Sequence, residues 1–244
     1  MIRVSGLSRA FDGKKVLEDV SLDVARGELV VILGESGTGK SVLLKHLVGL
    51  LKPDSGAIEV DGQDITRLTE RDLLDVRRQI GYLFQEGALY DFMTVFDNVA
   101  FPLREHTRLK EAEIRDKVRT MLDTVDLRDA DSKFPAELSG GMRKRVGLAR
   151  AIVLDSKILL CDEPTSGLDP IRSRDISDLI RQVAKQMHCT TVITSHDIDN
   201  SLRIGDRLAL MKDGRIVALG TSDELRASSH PFVREFIKVQ AGGI

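Results

Sequence analysis

The chain has 244 residues, 42% hydrophobic and 30% charged, and its charges nearly cancel to a formal −2 at pH 7. That length suits one large α/β domain, with or without an inserted subdomain, and is ample for a hydrophobic core. The near-neutral balance argues against a global nucleic-acid-binding field, no apolar run approaches the roughly eighteen residues of a membrane span, and Met1-Ile2-Arg3-Val4 lacks the apolar segment of a secretory signal.

Residues 1–30 read as extended, with Val16, Leu17, Val20, Leu22 and Val24 among polar positions and turns at Asp12-Gly13 and Arg26-Gly27. The apolar run 29–33 predicts a short buried strand. It leads directly into Gly34-Glu35-Ser36-Gly37-Thr38-Gly39-Lys40-Ser41, which fits G-x-x-x-x-G-K-[ST] at every fixed position. Glycines there admit positive φ and let backbone N–H groups close around phosphate oxygens. Lys40 adds a point charge at the β- and γ-phosphates, and the Ser41 hydroxyl is a ligand for Mg²⁺. The residues thus point to a bound nucleoside triphosphate. A helix is expected from this loop through Leu51, ended by Lys52-Pro53-Asp54-Ser55-Gly56.

Residues 57–60 and the Asp61-Gly62 turn predict a hairpin element, 69–78 a charged helix and 80–84 a strand. From 87 to 155 no strand pattern occurs. Thr94 starts an apolar helix, and 110–125 form an amphipathic one with Ile114, Val118, Met121, Leu122 and Val125 on one face. This segment is expected to be an inserted helical subdomain. Strand and helix then alternate: strand 158–161, helix 170–188, strands 191–194, 208–211 and 216–219, and two short helices. Such alternation implies a mostly parallel sheet. Cys161 and Cys189 read as buried apolar residues rather than a disulfide or a metal site. His46, His106, His188 and His230, which lack metal spacing, read as structural or solvent-facing.

Two further motifs carry chemistry. The strand 158–161 ends in Asp162-Glu163; emerging beside the phosphate loop, it would deliver Asp162 to the Mg²⁺ shell and Glu163 to the attacking water, to orient or deprotonate it. Ser139-Gly140-Gly141-Met142 precedes the basic Arg143-Lys144-Arg145. Ser139 is a good N-cap, and the glycines expose N–H groups at the positive end of a helix. This is either a simple cap and turn or a second anion site, and the latter implies a head-to-tail dimer in which the motif closes on the partner's nucleotide.

With these residues in place, the chain resembles the ATP-binding-cassette ATPases over essentially its whole length. The order of the family's motifs is met by the phosphate loop, Gln85, Ser139-Gly140-Gly141, Asp162-Glu163, Ser166-Gly167-Leu168-Asp169 and His196. The resemblance implies an α/β P-loop NTPase fold with a mostly parallel core sheet and an N-terminal antiparallel β subdomain. Residues 1–86 and 156–244 would form the nucleotide-binding core and 87–155 the helical subdomain. It also implies that Gln85 contacts Mg²⁺ and the attacking water and reports to a membrane partner, that His196 holds the γ-phosphate, and that Asp169 couples two sites across a dimer. Phe11 matches the aromatic that stacks on adenine, with a plain core role as the alternative. Met142 replaces the glutamine that commonly ends the signature; the Ser139 and backbone contacts should survive that change.

The stretch Phe84-Gln85-Glu86-Gly87-Ala88-Leu89, continuing through residues 96–107, resembles the ATPase subunits of MCE-type phospholipid transport systems, as does a signature ending in methionine. The resemblance implies a second copy, an integral membrane permease, an MCE-domain lipid-binding protein and a small regulatory subunit as partners, and no nucleic acid. It also implies a peripheral place at the cytoplasmic face of the inner membrane. The short stretch after 231–239 is expected to leave no room for a regulatory domain. An ATPase for another importer, such as one for amino acids, is the alternative.

Overall fold

The computed structural model describes residues 1–241, with side chains through Ile237, so the last three residues assigned to the domain lie outside the described residues. In chain order the elements are β1 (Ile2–Phe11), β2 (Lys14–Val24), β3 (Leu29–Leu33), α1 (Lys40–Leu47), β4 (Ser55–Val60), β5 (Gln63–Asp64), α2 (Glu70–Arg77), β6 (Ile80–Leu83), α3 (Val95–His106), α4 (Glu111–Thr124) and α5 (Gly140–Ile152). There follow β7 (Ile158–Asp162), α6 (Pro170–Gln186), β8 (Thr190–Ser195), α7 (Ile198–Ile204), β9 (Arg207–Lys212), β10 (Arg215–Gly220), α8 (Ser222–Arg226) and α9 (Pro231–Ala241). The residues cluster into two compact units, one made of 1–77 with the segment from 190 onward, the other of 78–189.

The first unit holds two sheets. One is antiparallel in the order β2-β1-β4-β5. The other contains β10-β9-β3-β8, with β3 parallel to both β8 and β9. Every residue of β3 and of β8 is buried, as expected of strands covered on both faces, and this is why they read as unbroken apolar or threonine-rich runs. Helix α1 stops short of the end expected at Leu51. Gly49, at φ 68°, donates its N–H to the His46 carbonyl while Leu50 donates to that of Lys45. This closes the helix as a Schellman motif four residues before Pro53 is reached.

In the second unit β6 pairs in parallel with β7, and no strand lies between them in sequence among the described residues. The expected helical stretch consists of α3, α4 and α5. Ile114, Val118, Met121, Leu122 and Val125 are buried as the period demanded. Thr94 caps α3 by accepting from the Asp97 N–H, Ser139 caps α5 and Asp169 caps α6. Cys161 and Cys189 are buried thiols not joined in a disulfide, His46 is buried, and His106, His188 and His230 are exposed.

Candidate functional site

In the first unit the glycines of residues 34–41 answer to three different demands. A β-carbon on Gly34 would lie 2.4 Å from the Met211 carbonyl oxygen, so the loop leaves β3 hard against β9. Gly39 sits at φ 102°, and its β-carbon would approach the Val16 oxygen of β2 at 2.8 Å. Gly37 is at φ 83° with open space around it, so there the backbone conformation alone selects glycine. Lys40 is buried as the first residue of α1, and its ammonium donates to the carbonyls of Gly34 at 2.8 Å and Glu35 at 3.0 Å. The cation therefore spans the mouth of its own loop at a helix N-terminus, the electrostatic setting for a phosphate. Ser41, next to it, is half-buried.

His196 belongs to the same unit. Leu33 and Ser195 are register partners in the parallel β3–β8 pair. Gly34 and His196 therefore leave neighbouring strands at the same end, one residue beyond the pairing. Carboxyl ends of adjacent parallel strands are where open α/β sheets take their ligands. His196 is exposed, and the next residue, Asp197, caps α7, a helix that the sequence reading leaves out. Phe11, at the end of β1, is 36% exposed and is not a core residue.

The second unit repeats this geometry. Leu83 pairs with Cys161 across β6 and β7, so Phe84-Gln85 and Asp162-Glu163 emerge side by side from parallel strands. Asp162 and Glu163 are both buried. Glu163 has φ 45°, left-handed backbone that a glutamate adopts only where its surroundings enforce it. Gln85 donates from Nε2 to the Ser166 hydroxyl at 3.1 Å. The Tyr82 hydroxyl, a neighbour that the sequence reading missed, donates to Asp162 Oδ2 at 3.4 Å. Burial, with the Asp162 charge second, pushes the Tyr82 phenol well above its usual range, so it remains a donor.

Ser139 accepts from the Met142 N–H at 3.3 Å, a backbone contact indifferent to the side chain at 142. Gly140 lies near Leu168, whereas a β-carbon on Gly141 would meet nothing within 4 Å. Asp169 is engaged locally: it accepts from the Arg172 N–H at 3.0 Å as the cap of α6. Among the described residues no three His, Cys, Asp or Glu side chains converge to hold a metal. A magnesium ion carried largely by phosphates needs only one or two protein oxygens and so does not require such a cluster.

Residues 17–166 match the family model described as ABC transporter. The probable ribonucleotide transport ATP-binding protein mkl of Mycobacterium leprae is 48% identical over 97% of this chain and 68% of its own length. The chain covers 66% of the mkl protein of Mycobacterium tuberculosis, and so spans about two thirds of these mycobacterial relatives. The intermembrane phospholipid transport system ATP-binding protein MlaF of Haemophilus influenzae is 42% identical over 100% of this chain and 92% of that protein. The methionine import ATP-binding protein MetN of Carboxydothermus hydrogenoformans is 43% identical over 97% of this chain and 71% of its own. A solved dimeric ATP-binding cassette in a post-hydrolysis state, bound to ADP and Pi, matches with a TM-score of 0.83 at 30% identity, covering 91% of this chain and 99% of that one. The chain belongs to the ABC transporter family. Within that family it is an ATPase subunit.

Proposed function

We propose that this ATPase subunit works as two copies closed around two ATP·Mg²⁺ and drives a membrane permease that moves phospholipid. The observation that carries the nucleotide site is the β3–β8 register, which sets His196 beside the start of the phosphate loop. In this reading the backbone of Gly34, Glu35, Ser36, Gly37, Thr38 and Gly39 wraps the phosphates, Lys40 supplies charge and Phe11 stacks on the base. Magnesium, when bound, neutralises charge on the phosphates. Ser41, Asp162 and Gln85 would be its protein ligands. Glu163 takes the proton of the attacking water or orients it, and His196 holds the γ-phosphate.

Ser139, Gly140 and Gly141 bind the nucleotide of the second copy, and Asp169 couples the two sites. Support for the pairing comes from Gly141, whose missing side chain leaves a space that nothing among the described residues fills within 4 Å. The dimeric solved relative supports it as well. Residues 87–155 act as the helical subdomain, the surface around residues 85–107 meets the permease, and the chain sits peripherally at the cytoplasmic face of the inner membrane.

The phospholipid assignment is supported by the methionine-ended signature, by residues 84–107 and by the name of the Haemophilus relative. An amino-acid importer is the second reading, favoured by the methionine import relative of similar identity. The test is reconstitution of the chain in liposomes with the permease that co-purifies with it. ATP-dependent movement of fluorescent phospholipid, with no uptake of radiolabelled amino acid, is expected; uptake of the amino acid alone would reject the lipid assignment.

A further inference from the structure

The aromatic ring at the tip of the β1–β2 hairpin is held from behind. The Arg9 guanidinium lies over the Phe11 ring, 4.8 Å from its centre. Arg9 Nη1 in turn donates to Asp54 Oδ1 at 2.6 Å, while the other Asp54 oxygen accepts the Ala10 N–H at 2.7 Å. One carboxylate just ahead of β4 thus grips both the cation and the backbone between Arg9 and Phe11. The Ala10 N–H, followed by Arg9, keeps the Asp54 carboxyl below its usual range, so the grip stays ionised at neutral pH.

The hairpin also adjoins the phosphate loop. Leu17 is the register partner of Arg9, and the carbonyl of Val16, next to it, abuts Gly39. Phe11 is 36% exposed although one face of its ring carries the guanidinium. A cation on one face draws electron density through the ring and leaves the far face better suited to an electron-rich purine.

We propose that Arg9 and Asp54 are positioning residues for the nucleotide base: Asp54 fixes Arg9, Arg9 backs Phe11, and the free face of Phe11 receives adenine. This rests on the reading of Phe11 as the adenine platform. Nothing in residues 34–41 itself reads the base, so this stack would carry the preference for a purine triphosphate over a bare polyphosphate chain.

The test is calorimetric titration of the full chain, with Mg²⁺ present, by ATP and separately by inorganic tripolyphosphate. The variants are Phe11→Ala, Arg9→Met and Asp54→Asn; the asparagine keeps an oxygen for Ala10 but loses the charge that holds Arg9. Phe11→Ala should weaken ATP by about 5-fold or more, the loss of a base–aromatic stack. Arg9→Met and Asp54→Asn should each weaken ATP by about 2–5-fold, the scale of a cation–π contact. Tripolyphosphate affinity should stay unchanged in all three. If Phe11→Ala leaves ATP affinity intact, the platform reading itself falls. If Phe11→Ala weakens ATP while both other variants bind it as wild type, the positioning role of Arg9 and Asp54 is overturned. Equal weakening of ATP and tripolyphosphate in those two variants also overturns it, since that pattern marks general damage to the hairpin.

Discussion

The Gln85 carboxamide donates to the Ser166 hydroxyl at 3.1 Å, tying the segment that follows β6 to the one that follows Glu163. Ser166 N–H in turn donates to the Glu163 carbonyl, so the pair closes a small loop around the proposed base. If Gln85 serves magnesium and water during hydrolysis, this bond competes with that service. Ser166→Ala should therefore raise basal ATP turnover about 2–10-fold, the net worth of one hydrogen bond, with melting temperature nearly unchanged because both side chains are accessible. Unaltered steady-state turnover would show that the bond exerts no restraint.

Two glycines of α5 separate folding from function. A β-carbon on Gly141 meets nothing, whereas one on Gly147 would lie 2.9 Å from Leu83 Cδ1 and 3.3 Å from the Gly87 backbone. Gly147→Ala should cost about 1–3 kcal/mol in urea denaturation through overpacking. Gly141→Ala should leave stability unchanged or raise it by up to about 1 kcal/mol, as alanine does in a helix. If this face closes on a second copy's nucleotide, the same variant should lose most ATPase activity. A stable and fully active Gly141→Ala protein would contradict the dimer reading.

Lys144, one turn before Gly147, is only 5% exposed, and its ammonium has no hydrogen-bond partner among the described residues. Burial pushes its pKa down, opposed by the charge of Glu86. Lys144→Met keeps the length of the side chain and removes a buried, unpartnered charge. Stability should rise by about 1–3 kcal/mol in urea denaturation. A loss of stability would mean that the ammonium is satisfied by the fold.

Much of the nucleotide site was legible because its motif is contiguous. Gly34, Gly37 and Gly39 all lie within a few residues of Lys40, although the close approaches at Gly34 and Gly39 come from Met211 and Val16, and the run 29–33 was apolar because β3 is buried on both faces. Ser139 was readable in the same way, as a short polar side chain ahead of a helix, whereas Asp169 came from the family resemblance and its cap role from the structure. What escaped was set by distant partners or by short elements. Asp54 holds Arg9 across 45 positions and Tyr82 reaches Asp162 across 80, pairings that no local pattern encodes. Helix α7 is only 7 residues long and half polar, too short for a period to emerge. The end of α1 was misplaced because Pro53 is the louder stop signal, yet Gly49 had already closed the helix.

Acid should weaken the fold through His46. Its Nδ1 lies 2.7 Å from the Val42 carbonyl oxygen, and burial, reinforced by the Arg9 charge, holds the imidazole below its ordinary 6.5. The unfolded chain therefore binds a proton that the folded one resists. This stability is complete above pH 6.5 and falls as the pH drops toward the folded value. Urea midpoints at pH 8 and pH 5.5 should differ less in His46→Asn than in the wild type. Identical pH slopes would remove His46 from the acid response.

Glu163 stands at the centre of the proposed chemistry, buried where β7 ends and set in left-handed backbone. Single-turnover hydrolysis by Glu163→Gln, measured beside ATP binding and the association state of the chain, tests that role most directly. The expected result is hydrolysis slowed by at least about 10²-fold, the scale of a lost general base, with ATP affinity retained and a dimer that persists with ATP. Hydrolysis at the wild-type rate would contradict the assignment of Glu163 as the base.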